Sequence, residues 1–219
     1  MMKKIDLAHY KRRGMFAAFK DRDIPYFAVT THIDITRLKG FVDEQRCGFF
    51  VSLSFLISHA VNLVPELRHR IIAGELFEVS RVDPGFTVLL DDQTFSFCDA
   101  RHFASFAEYR AYTNAKIREV KERPDQGVGD KHQMFFITDI PWFSFTSIVH
   151  PYDKQYGSIP IVSIGKYFSE QEKWLVPIGV QVNHGLVDAI HVGQFYTHLA
   201  TMCQSPAAWL GDQQPTTAA

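Results

Sequence analysis

Val180-Gln181-Val182-Asn183-His184-Gly185-Leu186-Val187-Asp188-Ala189 turns a β-like run into a helix. The run ends at His184 and Gly185 follows. Asp188 is a good helix N-cap, because a carboxylate there accepts a free backbone N–H of the first turn. Beyond it, Val192, Phe195, Leu199 and Met202 recur at steps of three, four and three residues, which makes one apolar stripe on a helix over 188–202.

Working outward, the same periodicities assign the rest of the chain. Helices are expected over 9–20, 36–46, 50–64 and 104–122. Strands are expected over 26–35, 71–73, 76–80, 86–90, 94–98, 133–139, 142–149, 160–167 and 174–183. Phe49 to Val64 is apolar but broken by Ser52, Ser54, Ser58, His59 and Asn62. It is too short and too polar for a bilayer span and reads as a helix buried against a sheet. Gly74-Glu75 and Asp83-Pro84-Gly85 read as turns, and 124–129 as a loop. Helices do not alternate strictly with strands, so the expected class is α+β, a mixed β-sheet covered by helices. Nothing repeats and no linker divides the chain. One domain over 1–210 with a loose tail at 211–219 is therefore expected.

Composition narrows the function. The 219 residues are 46% apolar and 21% charged, enough to fill a core. Aromatics make up 14%, with 19 Phe, which points to aromatic-lined packing or an apolar pocket. The formal charge of −1 leaves no basic excess to neutralise a phosphate backbone, so nucleic acid is not expected as a partner. Cys47, Cys98 and Cys203 are far apart and form no CxxC, which fits a reducing cytoplasm. Lys3 and Lys4 have no apolar stretch behind them, so no secretory signal and no membrane partner are expected.

Four stretches could carry chemistry. His184 sits at a strand-to-helix junction, where a scaffold can hold an imidazole facing a cleft as a general base; the pattern by itself also fits, and more commonly marks, an ordinary packed or surface histidine. His184, Asp188 and His191 have the spacing of metal ligands on one helix. Gly185 places His184 before that helix, however, and no metal is expected. In Pro141-Trp142-Phe143-Ser144-Phe145-Thr146-Ser147-Ile148, alternation puts Ser147 on the face of Phe143 and Phe145. A hydroxyl there is a donor to a ligand or to a neighbouring carbonyl. In Pro160-Ile161-Val162-Ser163-Ile164-Gly165-Lys166-Tyr167, Ser163 interrupts an apolar strand, Gly165 allows close approach, and Lys166 with Tyr167 could meet a phosphate and a flat ring. Near the start, Lys11-Arg12-Arg13 offers an arginine able to grip a buried carboxylate.

Taken together and in order, these stretches resemble the chloramphenicol acetyltransferase family from about Ile5 to Met202. The strongest parts are 141–147, Ile164-Gly165-Lys166-Tyr167 and 181–193; 11–13, 33–36, 65–68 and 83–88 add support. The resemblance implies a coenzyme A-dependent acyltransferase fold and a homotrimer with active sites between subunits. It also implies direct acetyl transfer from acetyl-CoA to chloramphenicol, hence antibiotic resistance, with no metal. The family's His-His-x-x-x-Asp-Gly puts the general base on His184 and the aspartate on Asp188, paired with Arg12. It further implies an oxyanion donor at Ser147, a water-holding hydroxyl at Ser163 and coenzyme contacts at Lys166 and Tyr167. The implied acceptor pocket includes Phe19, Phe27, Phe95 and Ile161.

The chain departs from the family pattern at Asn183, in place of the first His, and at Ala189, in place of the Gly. Ala189 would strain the loop at a positive φ and cost nothing in a helix. The stretch after Ile148 diverges, and the loop before Phe95 is about a residue short; both bear on the acceptor. Two other readings stay open: an acetyltransferase for a different hydroxyl compound, and a trimeric binding protein that has lost catalysis.

Overall fold

The computed structural model describes residues 1–211 apart from Asp125, Gln126 and Val128, so the expected tail beyond Gly211 and part of the 124–129 loop lie outside the described residues. In chain order the elements are β1 (Met2–Lys4), α1 (Arg13–Phe19), β2 (Tyr26–Asp34), α2 (Thr36–Gln45), α3 (Phe49–Asn62) and a 3-10 turn at Pro65–Arg68. There follow β3 (His69–Ile72), β4 (Glu75–Val79), β5 (Asp83–Leu89), β6 (Phe95–Asp99), α4 (Phe106–Glu122), β7 (Met134–Ile140) and β8 (Ile161–Gly165). The chain closes with β9 (Phe168–Glu170), β10 (Lys173–Asn183), α5 (Ala189–Gln204) and α6 (Pro206–Leu210).

The main sheet runs β2-β10-β8-β7-β5-β6, with β9 added to β10. Its β8–β7 and β7–β5 pairs are parallel and the others antiparallel, so the sheet is mixed and the fold α+β, as expected. β1, β4 and β3 form a second, smaller sheet.

Alternation sorts the main sheet into two faces. Val176, Ile178, Val180 and Val182 of β10, Val162 and Ile164 of β8, and Phe135 and Ile137 of β7 are all buried in one cluster with α3, α4 and α5. The stripe Val192, Phe195, Leu199 and Met202 seals that cluster from α5. α3 is buried on nearly every side, and its hydroxyls find partners: Ser52 on the Gly48 carbonyl, Ser54 on Tyr109 and Ser58 on His102. Arg70, fully buried, joins the small sheet to the chain entering β7 by donating to the carbonyls of His132 (2.9 Å) and Met134 (2.6 Å).

Several sequence expectations change. The strand expected over 142–149 does not form. Its segment lies across the other face of the sheet, where β8 already has β7 and β10 as neighbours and leaves no edge to pair with. Two glycines make room: a Cβ on Gly179 would sit 2.7 Å from Ile148 Cγ2, and one on Gly165 would sit 2.7 Å from Phe145 Cε1. Asp83-Pro84-Gly85 starts β5 and is not a turn. Its proline is tolerated because the ladder with β6 stops one residue later, at Gly85 opposite Asp99. The hairpin turn falls on Ala73-Gly74, both at positive φ, one residue earlier than expected. Of the helix expected over 9–20, only Arg13–Phe19 is helical.

Candidate active site

β10 delivers His184 to the end of the sheet, and the turn behind it is knitted tightly. Asn183 Oδ1 accepts from Gly185 N (2.9 Å), the Asn183 carbonyl accepts from Val187 N (2.9 Å), and His184 N donates to the Pro25 carbonyl (2.7 Å). The imidazole stacks on Phe19 at 4.2 Å between centroids and lies 4.8 Å from Phe27. Its side chain is 35% exposed. Nδ1 lies 3.3 Å from the Val187 carbonyl and 3.2 Å from Asp188 Oδ1. A carbonyl only accepts, so Nδ1 carries the proton and the lone pair of the neutral ring is on Nε2.

Asp188 is held from three sides. Arg12 donates to its Oδ2 and also reaches the His184 carbonyl at 3.4 Å. That guanidinium hydrogen bond keeps the Asp188 carboxyl below the usual range, against a smaller opposing effect of burial. Asp188 N donates to His191 Nδ1 (2.9 Å), whose Nε2 faces Glu66 at 3.5 Å. The spacing of His184, Asp188 and His191 is thus spent on a turn and a cap, and among the described residues no three such groups converge as metal ligands.

The other expected residues do not join this cluster. Ser147 is exposed on the segment that crosses the sheet. Ile161 and Ser163 share the face away from the helices; Ser163 is 1% exposed and its Oγ lies 2.7 Å from His150 Nε2. The Tyr167 ring packs 5.0 Å from Phe49 and 5.5 Å from Trp174, with Lys39 Nζ 5.6 Å from its centroid. Lys166 beside it is exposed, and its backbone N donates to the Phe143 carbonyl. Phe95 is 61% exposed on the opposite edge strand. With β8, β7 and β5 between β10 and β6, it stands about 19 Å across the sheet from the strand that carries His184.

Comparison with known proteins decides the family. The chloramphenicol acetyltransferase family matches residues 1–200. Chloramphenicol acetyltransferase 2 of Escherichia coli is 31% identical over 210 residues, covering 92% of this chain and 97% of its own. The chain belongs to the chloramphenicol acetyltransferase family. Among solved structures, a chloramphenicol acetyltransferase superposes with a TM-score of 0.81 at 20% identity, covering 93% of this chain and 100% of that one. The cubic core of a pyruvate dehydrogenase multienzyme complex superposes at 0.70 and 15% identity, covering 94% and 93%. The chain is accordingly an acetyltransferase by family.

Against the family pattern, the two departures are accommodated. Ala189 is the first residue of α5, in helical conformation, so the glycine's freedom is not needed. Asn183 closes the turn through Oδ1 and donates from Nδ2 to the Gly157 carbonyl at 3.3 Å. The sequence reading missed Thr138, which lies in register beside Ser163 on the same face; its signal was a hydroxyl alternating with the buried Phe135 and Ile137. It also missed a cleft of about 670 Å³ edged by Lys20, Arg22, Asp23, Tyr152, Lys154 and Asn183, which His184 does not line. Among the described residues no helix is long and apolar enough to cross a membrane.

Proposed function

We propose that this protein transfers the acetyl group of acetyl-CoA to a hydroxyl of chloramphenicol, in a ternary complex at the subunit interfaces of a cytoplasmic homotrimer, and so confers resistance to the drug. The observation that carries the reading is the Nδ1–H bond of His184 to the Val187 carbonyl, which leaves an unprotonated Nε2 on a ring clamped between two aromatics. A base needs that combination of a free lone pair and a fixed ring. Arg12 and Asp188 hold the turn and do not themselves take the proton.

In this mechanism His184 Nε2 takes the proton of the acceptor hydroxyl as its oxygen bonds to the thioester carbonyl carbon. The carbon–sulfur bond then breaks, the sulfur leaves as thiolate, and no acyl-enzyme forms. Acetyl-CoA supplies the activated acyl group. Tyr167, Lys166 and Lys39 offer a flat ring beside two cations, which suits a nucleotide bearing phosphate. Two hydroxyls compete to stabilise the oxyanion: Ser147, which the family resemblance implies, and Thr138. Preorganisation favours a donor held on a strand, so Thr138 is the stronger structural choice; one such donor is worth on the order of 10²–10³ in rate. Ser163 supports the same face. Phe19 and Phe27 wall the base, while Ile161 and Phe95 line an acceptor pocket that one chain does not close. Trp142, Phe143, Phe95 and Phe97 stay exposed in the single chain, which supports self-association. Cys47, Cys98 and Cys203 are all buried, which suits the cytoplasm.

Thiol release from acetyl-CoA, followed with and without chloramphenicol, tests the reading. Release only with the drug is expected, and His184→Ala should lose it by at least 10³-fold while keeping its circular dichroism. Substantial turnover in that variant would refute the base assignment. The diverged stretch after Ile148 favours a second reading, transfer to a different hydroxyl compound. Release with such an acceptor and not with chloramphenicol selects it, and drug binding without release from any hydroxyl selects a non-catalytic relative.

A further inference from the structure

His150 lies in the diverged stretch, outside every motif that assigned the site. Its backbone is held by one side chain: His150 N donates to Gln181 Oε1 (2.8 Å), and Gln181 Nε2 donates back to the His150 carbonyl (3.3 Å). Gln181 is 7% exposed on β10, three residues before His184. Its amide therefore anchors the crossing segment to the strand that carries the base. From this anchor the His150 ring reaches down to the sheet, and Nε2 meets Ser163 Oγ at 2.7 Å. Burial pushes the His150 ring below the ordinary histidine range, so it is neutral at pH 7. Among the described residues no other hydrogen bond to Ser163 Oγ is seen.

A hydroxyl has one proton to give and two lone pairs to receive with. If Ser163 donated to His150, that proton would be spent and only an acceptor would be left on that face of the sheet. If Nε2–H donates to Ser163, the Ser163 proton is left free to point over the sheet face that carries its register neighbour Thr138, the hydroxyl proposed above for the oxyanion. We propose that His150 is a positioning residue that donates from Nε2–H to Ser163 Oγ and so frees the Ser163 proton to donate on the sheet face that carries Thr138. The inference rests on the acetyl-transfer reading for its consequence, but the proton placement can be measured without turnover.

Three measurements on the full-length protein test it. Nitrogen-15 NMR of the imidazoles should give His150 as the Nε2–H form at pH 7; an Nδ1–H form overturns the proposal. In thiol-release kinetics, His150→Phe should lower kcat about tenfold with KM for acetyl-CoA changed less than twofold, and His150→Gln, whose amide keeps an N–H donor, should recover most of the loss. Wild-type kcat in His150→Phe overturns it. In a Ser163→Ala background His150→Phe should have no further effect, since the hydroxyl it orients is gone; fully additive losses would mean a merely structural role and also overturn the proposal. If the wild type transfers no acetyl group to any hydroxyl, the functional reading fails, and the NMR result alone decides the proton placement.

Discussion

Asp139 shows how one side chain carries a cost that its neighbours do not. It sits on β7 opposite Ile164, on the side of the buried Phe135 and Ile137, and its carboxylate makes no hydrogen bond or ion pair among the described residues. Burial raises its carboxyl to about 6. The folded state thus holds this proton more tightly than the unfolded chain, and wild-type stability from this group falls as pH rises from about 4 through 6. Asp139→Asn stays neutral throughout. It should raise the unfolding free energy at pH 7 by on the order of 1–2 kcal/mol, after discounting about 1.4 kcal/mol per pKa unit for partial exposure, with the gain vanishing near pH 4. Paired urea titrations of variant and wild type check this; a gain independent of pH would show that ionisation is not its source. Residues of this kind are hard to see in a sequence, because an aspartate in a strand carries no mark of which face it occupies. His184 and Asp188 were legible because they lie four apart around a glycine. Their partner Arg12, 172 residues from His184 and 176 from Asp188, came from family resemblance, since no spacing rule reaches that far.

At the scale of elements, patterns that depend on one segment were readable and those that depend on a free neighbour were not. α3, α4, α5 and β10 match their expected spans to within a few residues, because each carries its own periodicity or continuous apolar run. The segment 142–149 alternates like a strand and is none, since a strand also needs an unpaired edge and β8 has none to offer. What the sequence does hold is the pair Gly165 and Gly179, hollows in the sheet that let the segment settle. Gly179→Ala isolates that cause. Alanine should favour the strand by about 1 kcal/mol, but its Cβ meets Ile148 at 2.7 Å and Thr30 Oγ1 at 3.3 Å. The crossing segment must then lift or strain, at about 1–3 kcal/mol, so the variant should be net destabilised and lose acetyl transfer. Trimming the opposing side chain in a Gly179→Ala/Ile148→Ala double variant should restore part of the stability. Urea midpoints measure both, and a stabilised Gly179→Ala would show that the segment is not seated there.

At the scale of the whole molecule, the single chain separates what the reaction must bring together. His184, the proposed base, lies at the β2–β10 side of the sheet, whereas the aromatics Phe95 and Phe97 are exposed at the other edge and Ser163 and Thr138 share the face between them. An assembly in which one subunit's His184 faces a neighbour's open sheet resolves this, and a closed ring repeats the contact at every interface. The arrangement predicts complementation. His184→Ala removes the base and leaves the open face intact; Ile161→Trp obstructs the open face and leaves the base. Each variant alone should be nearly inactive and should sediment as the proposed trimer. When the two are unfolded together and refolded as a random mixture, an interface is intact only if its face comes from the first variant and its base from the second. That happens in about one interface in four, so the mixture should regain about a quarter of wild-type activity per chain. Mixing the two already folded proteins should give none until subunits exchange. If every site lay within one chain, each chain would carry one of the two defects and no mixture could recover. Activity that stays at background after co-refolding, with mixed trimers present, would therefore rule out the shared site.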